Sequence, residues 1–261
     1  MQISLQGKRA LIGGSSRGIG KAIAEQLAES GAIVTLMARS EDKLNTIVKG
    51  LAYNEGPPHS YLVVDFTDFD SYQKKITKYF ETHKVDILVN NTQGPSAGSA
   101  LEKDIADYQV AFDLLFKSVV YTTQLALKHM MQNKWGRIIN VASISVKEPL
   151  GYLALSNTIR AAVVTWAKSL ANEVAPDKIT VNNILTGYFD TERITDLNKK
   201  KSEQMGIPLD KVRKAMEDQV PIKRIGDPIE YGYLVAFLAS DKAAYITGTN
   251  IPIDGGLLKS L

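Results

Sequence analysis

The segment that most constrains the fold of this chain is GGSSRGIG, which runs from Gly13 to Gly20. It follows a short apolar run, RALIGG, which indicates a β-strand that stops at glycines. After it, four apolar residues recur at the spacing of one helix face: Ile19, Ile23, Ala24 and Leu27. Gly31 then ends the helical pattern. A glycine-rich turn between a strand and a helix is the context that a dinucleotide-binding fingerprint requires.

Each glycine of this turn has a physical task. Gly14 permits a turn with positive φ, and Gly18 lets the backbone approach a pyrophosphate closely. Gly20 lets the helix pack tightly on the preceding strand. The N-terminus of the helix then offers free N–H groups and a partial positive charge to phosphates. A glycine-rich turn that binds no ligand is the alternative at this point.

The alternation of strand and helix continues along the 261 residues. The strand-like runs are RALIGG, AIVTLMA, YLVVDF, VDILVNN, GRIINVAS, KITVNNIL and NIPIDGG, and helical patterns span 19–30, 41–52, 71–83, 107–132 and 156–174. Such alternation predicts an α/β fold, a single Rossmann-type, doubly wound parallel sheet of about seven strands with helices on both faces. We expect residues 1–261 to form one domain, in which residues 186–224 interrupt the rhythm as loop with two short helices.

Composition argues against several classes of function. The chain has no cysteine, so it has neither disulfides nor a cysteine-based metal site, and we expect a reducing, cytoplasmic location. A net charge of +3 is too small to indicate nucleic-acid binding. The N-terminal MQISLQGKRA has no apolar run of signal-peptide length, and no apolar stretch approaches the ~20 residues of a membrane span. The histidines His59, His83 and His129 lie outside the motifs, and we expect no metal site.

Further motifs follow in a fixed order: Asp65 in VVDFTD, NN at 90–91, Ser143 after the fifth strand, GYFDT at 187–191 and DGG at 254–256. Together with the glycine spacing GxxxGxG, this set resembles the short-chain dehydrogenase/reductase (SDR) family over essentially the whole chain. The similarity is greatest to the 3-oxoacyl-(acyl-carrier-protein) reductase-like subgroup. It implies an oxidoreductase that transfers hydride between a nicotinamide dinucleotide and a small-molecule or carrier-linked carbonyl compound.

The type of dinucleotide is predicted by the end of the second strand, LMARS. Dehydrogenases that use NAD place a carboxylate there for the ribose 2′-hydroxyl, but this chain has Ala38 followed by Arg39. A second arginine, Arg17, lies in the glycine turn. Two guanidinium groups without a nearby acid suit a 2′-phosphate and predict NADP(H). The alternative is that Arg39 is a solvated residue at a strand end.

The resemblance also implies cofactor contacts beyond the glycines and the two arginines. By it, Asp65 meets the adenine amine, Asn90 the adenosine ribose and Thr191 the nicotinamide amide. The remaining residues that the resemblance places at the cofactor are Ser16, Ile19, Arg160 and Gly187.

The catalytic positions implied by the resemblance are altered. The family uses a serine, a tyrosine thirteen residues later, a lysine four residues beyond it and an asparagine on the preceding helix. Ser143 is present, but the other three positions hold Ser156, Arg160 and Leu115. A serine hydroxyl is a poor general acid, and a guanidinium with a pKa above ~12 does not shuttle protons. We therefore predict that the usual proton relay of the family does not operate.

The altered residues keep part of the chemistry. Ser156 can hydrogen-bond a substrate or water, and Arg160 keeps a cation beside the ribose hydroxyls. Tyr152 and Tyr188 are weak candidates for a catalytic phenol, with a packing or wall role as the alternative. Two functions stay open: an NADP(H)-dependent oxidoreductase with an atypical proton route, or an NADP(H)-binding pseudoenzyme or regulatory protein without dehydrogenase chemistry.

The resemblance further implies a substrate lid and an assembly. Residues 191–224, within the 186–224 lid region, contain nine Lys or Arg and six Asp or Glu. This excess of positive charge favours an anionic substrate, with a solvated helical surface as the alternative. The helical regions 101–133 and 153–174 carry more apolar residues than one sheet face can cover. Because such helices form subunit interfaces in the family, we expect a homotetramer, or at least a dimer.

Overall fold

The computed structural model describes residues 2–52 and 56–260. The strands are β1 (Arg9–Gly13), β2 (Ile33–Ala38), β3 (Ser60–Val63), β4 (Ile87–Asn90), β5 (Gly136–Val141), β6 (Ile179–Thr186) and β7 (Asn250–Ile253). The helices are α1 (Gly18–Glu29), α2 (Glu41–Gly50), α3 (Phe69–Thr82), α4 (Ile105–Phe112), α5 (Ser118–Asn133), α6 (Ala154–Val174), α7 (Glu192–Met205), α8 (Leu209–Gln219) and α9 (Pro228–Ala239).

These seven strands form one parallel sheet in the order β3-β2-β1-β4-β5-β6-β7. Helices pack on both faces of it, so the predicted α/β fold class is confirmed. The strand order changes direction at β1, because β2 and β3 lie on one side of it and β4 to β7 on the other. The connections after β1 and β4 therefore diverge, and a crevice opens between them at the carboxyl ends of the strands.

Each face of the sheet has its own hydrophobic core, because successive strand residues point to opposite faces. On β1, Ile12 packs into a cluster with residues of α1 and α9, whereas Leu11 packs into a second cluster with residues of α3, α5 and α6. The central strands are buried on both faces. This explains why their sequences are continuous apolar runs rather than alternating ones.

Helix α9 is absent from the helical patterns predicted above. Asp227 and Glu230 form a capping box at its N-terminus, and Pro228 occupies its first position. The helix lies close against α1, since a Cβ on Gly232 would come within 2.9 Å of the carbonyl oxygen of Ala22. Its sequence PIEYGYLVAFLA is apolar on most sides, so it lacks the polar face that gives a surface helix its periodicity.

The helix predicted over 107–132 is observed as α4 and α5, which are joined by one turn of π-helix at Asp113–Lys117 (the π-turn). Turns of this kind are rare and often lie at functional sites. By length and composition the whole stretch Ile105–Asn133 is able to cross a membrane, so by that measure the expectation that no segment reaches this length does not hold. Half of its most apolar window is buried in the protein, and this packing accounts for its apolar character.

Four asparagines form a row across the sheet. Asn90 on β4, Asn140 on β5, Asn183 on β6 and Asn250 on β7 are neighbours in strand register. The side-chain nitrogen of each of the first three donates to the side-chain oxygen of the next at 2.8 Å. Asn140 and Asn183 are buried, whereas Asn250 is exposed at the edge. The row keeps the buried amide groups hydrogen-bonded and links four strands.

An asparagine at the centre of this row should contribute more to the free energy of unfolding than one at its end. Asn140→Ala removes an acceptor from Asn90 and a donor from Asn183, so we expect the free energy of unfolding to fall by about 2–4 kcal/mol. Asn250→Ala, at the exposed end, is the matched control and should cost less than about 1 kcal/mol. Urea unfolding of both variants measures the difference. Equal losses would contradict the importance of burial in this row.

Candidate active site

The turn between β1 and α1 lies at the crevice between the carboxyl ends of β1 and β4. Gly14 and Gly18 have φ values of +57° and +53°, a region that side chains rarely adopt. At Gly20 the limit is space: a Cβ there would lie 2.2 Å from the carbonyl oxygen of Gly14. The helix can start this close to the strand only because these positions carry no side chain.

Two side chains that lie within the sequence motifs, but for which the motifs indicated no role, hold this turn in place. Ser15 is buried, and its hydroxyl donates to the carbonyl of Ile12 and accepts the N–H of Met37 on β2, both at 3.0 Å. Asn91 donates from its side chain to the carbonyl of Gly13 at 3.0 Å. The signal for both is a short polar side chain placed directly after a buried strand. They tie the turn to its two neighbouring strands.

The N-terminus of α1 has no side-chain cap, and Arg17 is its N-cap residue. The first N–H groups of the helix therefore have no side-chain acceptor. Ser16 and Ile19, on either side of Arg17 and Gly18, are half-buried at the same place. Because both the free N–H groups and the helix dipole favour an anion, this end of the crevice suits phosphate oxygens.

Arg17 and Arg39 are both exposed beside the turn. Arg39 donates to the side-chain oxygen of Gln93 at 2.8 Å. Arg17 donates to the carboxylate of Glu192 at 2.9 Å. The prediction that no acid lies near the two arginines is therefore wrong: folding brings Glu192 to Arg17 from 175 residues along the chain, and the carboxylate of Asp65 is close enough to Arg39 to interact with it. At the end of β2 itself, Ala38 leaves no carboxylate.

Asp65, just beyond β3, uses its carboxylate within its own loop. It accepts the N–H of Thr67 at 2.9 Å and the hydroxyl of Thr67 at 2.7 Å. Burial works against ionisation, but these hydrogen bonds and the charges of Arg39 and Lys75 lower the pKa of Asp65. Asp65 is therefore a stable negative charge close to Arg39.

Asn90 turns its side chain into the sheet. Its amide nitrogen donates to the hydroxyl of Thr123 at 3.1 Å and to Asn140 at 2.8 Å. Both side-chain donors are thus engaged, and the residue is buried. A ligand in the crevice would meet the main chain of Asn90 rather than its amide.

Two of the candidate catalytic residues, Ser143 and Arg160, lie at the carboxyl end of β5. Ser143 caps a short 3-10 turn that follows the strand, and its hydroxyl accepts the N–H of Ser145 at 3.1 Å. Ser156 is buried in the first turn of α6. One turn later, Arg160 donates to the carbonyl of Val141, the last residue of β5. In the described ranges 2–52 and 56–260, no hydrogen bond joins Ser143, Ser156 and Arg160 to one another.

Arg160 is a fixed positive charge. Burial, together with the charge of Arg193, lowers the pKa of its guanidinium to about 10. At neutral pH the group therefore stays protonated. Its hydrogen bond to the strand end keeps it in place, so it can hold an anion or a hydroxyl.

Leu115, on the π-turn, lines the same cavity as Arg160. The rest of the lining comes from the ends of β4 and β5 and from α5 and α6: Asn90, Thr92, Val119, Asn140, Val141, Ala142 and Val163. The structure thus brings together two of the altered positions, Leu115 and Arg160. Leu115 offers no polar atom to a water chain, and it is almost completely buried, with 2% of its surface exposed.

The two tyrosines beside the site differ in exposure. Tyr152 precedes α6 and is 55% exposed, whereas Tyr188 follows β6 and is half-buried. Burial, with a further effect of Tyr152, raises the pKa of Tyr188. A general acid works best when its pKa is near the working pH. The pKa of Tyr188 is instead raised further above neutral pH, which favours a role for this residue in the wall of the site.

The 186–224 region contains α7 and α8, the two short helices predicted there. Gly187 lies against the DGG motif, since a Cβ on it would come within 2.6 Å of the Cα of Asp254. Thr191 caps α7 by accepting the N–H of Ile194 at 3.4 Å. Its methyl group touches the glycine turn, because a Cβ on Gly18 would lie 3.2 Å from it.

Much of the positive charge of this region is paired with acids. Arg213 forms ion pairs with Asp190 at 2.8 Å and with Glu217 at 3.0 Å. Arg224 pairs with Glu230 at 2.7 Å. These contacts reduce the excess of positive charge counted from the sequence and anchor α8 and the loop after it.

Comparisons with known proteins agree over the whole chain. A family model described as enoyl-(acyl carrier protein) reductase matches residues 14–258. The 3-oxoacyl-[acyl-carrier-protein] reductase FabG of Vibrio cholerae is 37% identical, over 98% of this chain and 99% of its own. The NADPH-dependent reductase BacG of Bacillus subtilis is 30% identical, over 97% of this chain and 99% of its own.

Solved structures give the same result. L-sorbose reductase from Gluconobacter frateurii, complexed with NADPH and L-sorbose, has a TM-score of 0.92 and 32% identity, with 100% of both chains covered. The parallel sheet and its glycine turn place the protein in the class of Rossmann-type oxidoreductases. The chain belongs to the short-chain dehydrogenase/reductase family, with relatives in the 3-oxoacyl-(acyl-carrier-protein) reductase subgroup.

Proposed function

We propose that the protein is an NADP(H)-dependent oxidoreductase that reduces the carbonyl group of a small-molecule or carrier-linked substrate. The observation that carries this proposal is the pair Arg17 and Arg39 beside the glycine turn, with Ala38 in place of a carboxylate at the end of β2. Guanidinium groups bind a 2′-phosphate by charge-assisted hydrogen bonds. NADPH is the cofactor in the names of several relatives, including BacG and the sorbose reductase complex.

The residues of the crevice fit this cofactor. The uncapped N-terminus of α1 is placed to receive the diphosphate. Arg17 and Arg39 would hold the 2′-phosphate. To do so, Arg17 would give up its present contact with Glu192. Asp65 and the main chain of Asn90 would contact the adenosine, while Gly187, Thr191 and Arg160 would border the nicotinamide half. When bound, the nicotinamide ring supplies or accepts the hydride.

We propose that the chain positions the substrate rather than protonating it. The hydroxyls of Ser143 and Ser156 would hold the carbonyl oxygen, and Arg160 would favour the negative charge that develops there. Holding the reacting groups in the right geometry gives large rate factors by itself. The proton would come from water, because neither a serine nor a guanidinium is a suitable donor at neutral pH.

A cofactor-binding pseudoenzyme is the second candidate. It is favoured by Leu115, which puts an apolar side chain beside Arg160 in the cavity where a water chain would be needed. NADPH oxidation with a panel of ketones, measured beside direct NADPH binding, separates the two. Oxidation with any ketone supports the reductase, whereas tight binding without oxidation supports the pseudoenzyme.

We further propose that residues 186–224 form a lid over the substrate and that the protein is a homotetramer. The support for assembly is the apolar surface around α4, where Leu101 and Ile105 are 101% and 85% exposed. Next to them, the rings of Phe112 and Phe116 stack at 5.1 Å, and Phe116 meets Trp166 of α6 at 6.2 Å. Exposed apolar patches of this kind mark protein–protein contacts.

The assembly is tested by mass. We expect multi-angle light scattering to give a tetramer, or at least a dimer, at micromolar concentration. Ile105→Lys with Val110→Lys should shift the mass towards the monomer, because both side chains are exposed on α4 and charges are disfavoured in the core of an interface. Lys74→Glu, an exposed change on α3, is the control. A monomeric wild type would exclude the assembly.

Cofactor preference is the second test. NADPH should bind at least about tenfold more tightly than NADH, which corresponds to about 1.4 kcal/mol. Arg17→Ala with Arg39→Ala should abolish the preference, because NADH has no 2′-phosphate to lose contact with. Lys74→Ala with Lys199→Ala removes the same charge elsewhere and should leave it intact. Fluorescence titration of the three proteins with NADPH and with NADH measures the six affinities, and equal affinities in the wild type would refute the claim.

The altered catalytic positions are tested by substitution. Ser156→Ala should weaken substrate use modestly and leave NADPH binding nearly unchanged, whereas Arg160→Ala should mainly weaken cofactor binding. Ser156→Tyr with Arg160→Lys, and Leu115→Asn added to reopen a water path, should raise carbonyl reduction more than the separate changes together, since these groups act as one unit. Steady-state kinetics checks this. A loss of thousands-fold in folded Ser156→Ala would instead make Ser156 a proton-transfer residue.

A further inference from the structure

The N-terminal turn of α7 reaches across the crevice and touches both of its walls. Thr191 lies on Gly18 of the glycine turn, and Glu192 pairs with Arg17 at 2.9 Å. The next residue, Arg193, lies over the loop that follows β4. A Cβ on Gly94 in that loop would come within 2.5 Å of both terminal nitrogens of the Arg193 guanidinium. A side chain at position 94 would therefore require the end of the Arg193 side chain to shift.

Arg193 lies between two other positive charges. Desolvation and the charge of Arg17 lower its pKa, although the residue as a whole is exposed at the protein surface. Arg193 in turn contributes to the lowered pKa of Arg160. Three guanidinium groups therefore act on one another along the crevice, and the carboxylate of Glu192, which lies among them, is engaged by Arg17.

The other arginines of the same region contrast with Arg193. Arg213 and Arg224 each have a carboxylate partner at 3.0 Å or less. In the part of the chain that the structure describes, neither Arg193 nor Arg160 has an ion pair with an acid. Holding unpaired like charges together is unfavourable. The arrangement is complementary to an anion that enters the crevice.

We infer that Arg193 is an anion-binding residue of this site, which grips the diphosphate of the dinucleotide and thereby closes the lid region over it. This inference rests on the proposed function, because it takes NADP(H) as the ligand. The diphosphate fits better than an anionic group of the substrate for a reason of place. Arg193 lies in the crevice between β1 and β4, and the uncapped N-terminus of α1 faces the same crevice. A planar guanidinium suits phosphate oxygens.

The role differs from that of Arg17 and Arg39, and the difference can be measured. The diphosphate is common to NADP⁺ and NAD⁺. Arg193→Met should therefore weaken the binding of both dinucleotides by the same factor, about tenfold. Adenosine 2′-phosphate has no diphosphate, and its affinity should not change. Arg17→Ala with Arg39→Ala should give the reverse pattern. Arg193→Lys should recover part of the affinity, and Lys199→Ala, on the same helix, is the control for lost charge.

Thermal unfolding without added cofactor gives a second readout. Because Arg193 is repelled by its neighbours, Arg193→Met should unfold at the same or a higher temperature than the wild type. Its stabilisation by saturating NADP⁺ should be smaller. If Arg193 merely supported the fold, Arg193→Met would unfold at a lower temperature than the wild type in the absence of cofactor.

Each outcome decides the inference. Equal binding of NADP⁺ to wild type and Arg193→Met would overturn it and leave the proposed function standing. No binding of either dinucleotide to the wild type would overturn both. A loss confined to the substrate KM, with cofactor affinity unchanged, would assign the anion to the substrate. A lower unfolding temperature without cofactor would make Arg193 structural.

Discussion

At the carboxyl ends of β1 and β4, the glycine turn and the β4 loop are in direct backbone contact. A Cβ on Gly13 would lie 2.3 Å from the carbonyl oxygen of Asn91, and a Cβ on Gly20 would lie 2.2 Å from the carbonyl oxygen of Gly14. The start of α1 can approach the strand ends only because these positions lack side chains. Since no side chain caps α1, its first N–H groups remain directed at the crevice. The anion-binding character of the site follows from this packing.

The row of asparagines connects β4, β5, β6 and β7, the strands on the other side of β1 from β2 and β3. An amide-to-amide hydrogen bond is directional, so each 2.8 Å contact from Asn90 to Asn250 favours one register of its strand pair. Asn140 directly precedes Val141, the last residue of β5, whose carbonyl accepts the hydrogen bond from Arg160. The polar network therefore lies beside the strand end that holds this charged group.

The sequence predicted the features that rest on local patterns. The strand–glycine turn–helix at Gly13–Gly20 and the parallel sheet followed from spacing and periodicity, and both are observed. Helix α9 escaped because an apolar helix has no periodic polar face, although the pair Asp227 and Glu230 carried a capping signal. The contact of Arg17 with Glu192 and that of Arg193 with Gly94 join segments far apart in the chain. Spacing along the sequence contains no information about such contacts.

The changes at the catalytic positions have one physical effect in common. If the proposed assignment holds, Ser156 in place of a phenol removes the proton donor, and the apolar Leu115 removes a polar anchor for water beside Arg160. The charge is kept: Arg160, with a pKa of about 10, stays cationic at neutral pH and is held by the strand end. We therefore propose that the site keeps its positive electrostatics without an internal proton path, so that any reduction would depend on the geometry of the bound molecules and on a proton from outside the tetrad.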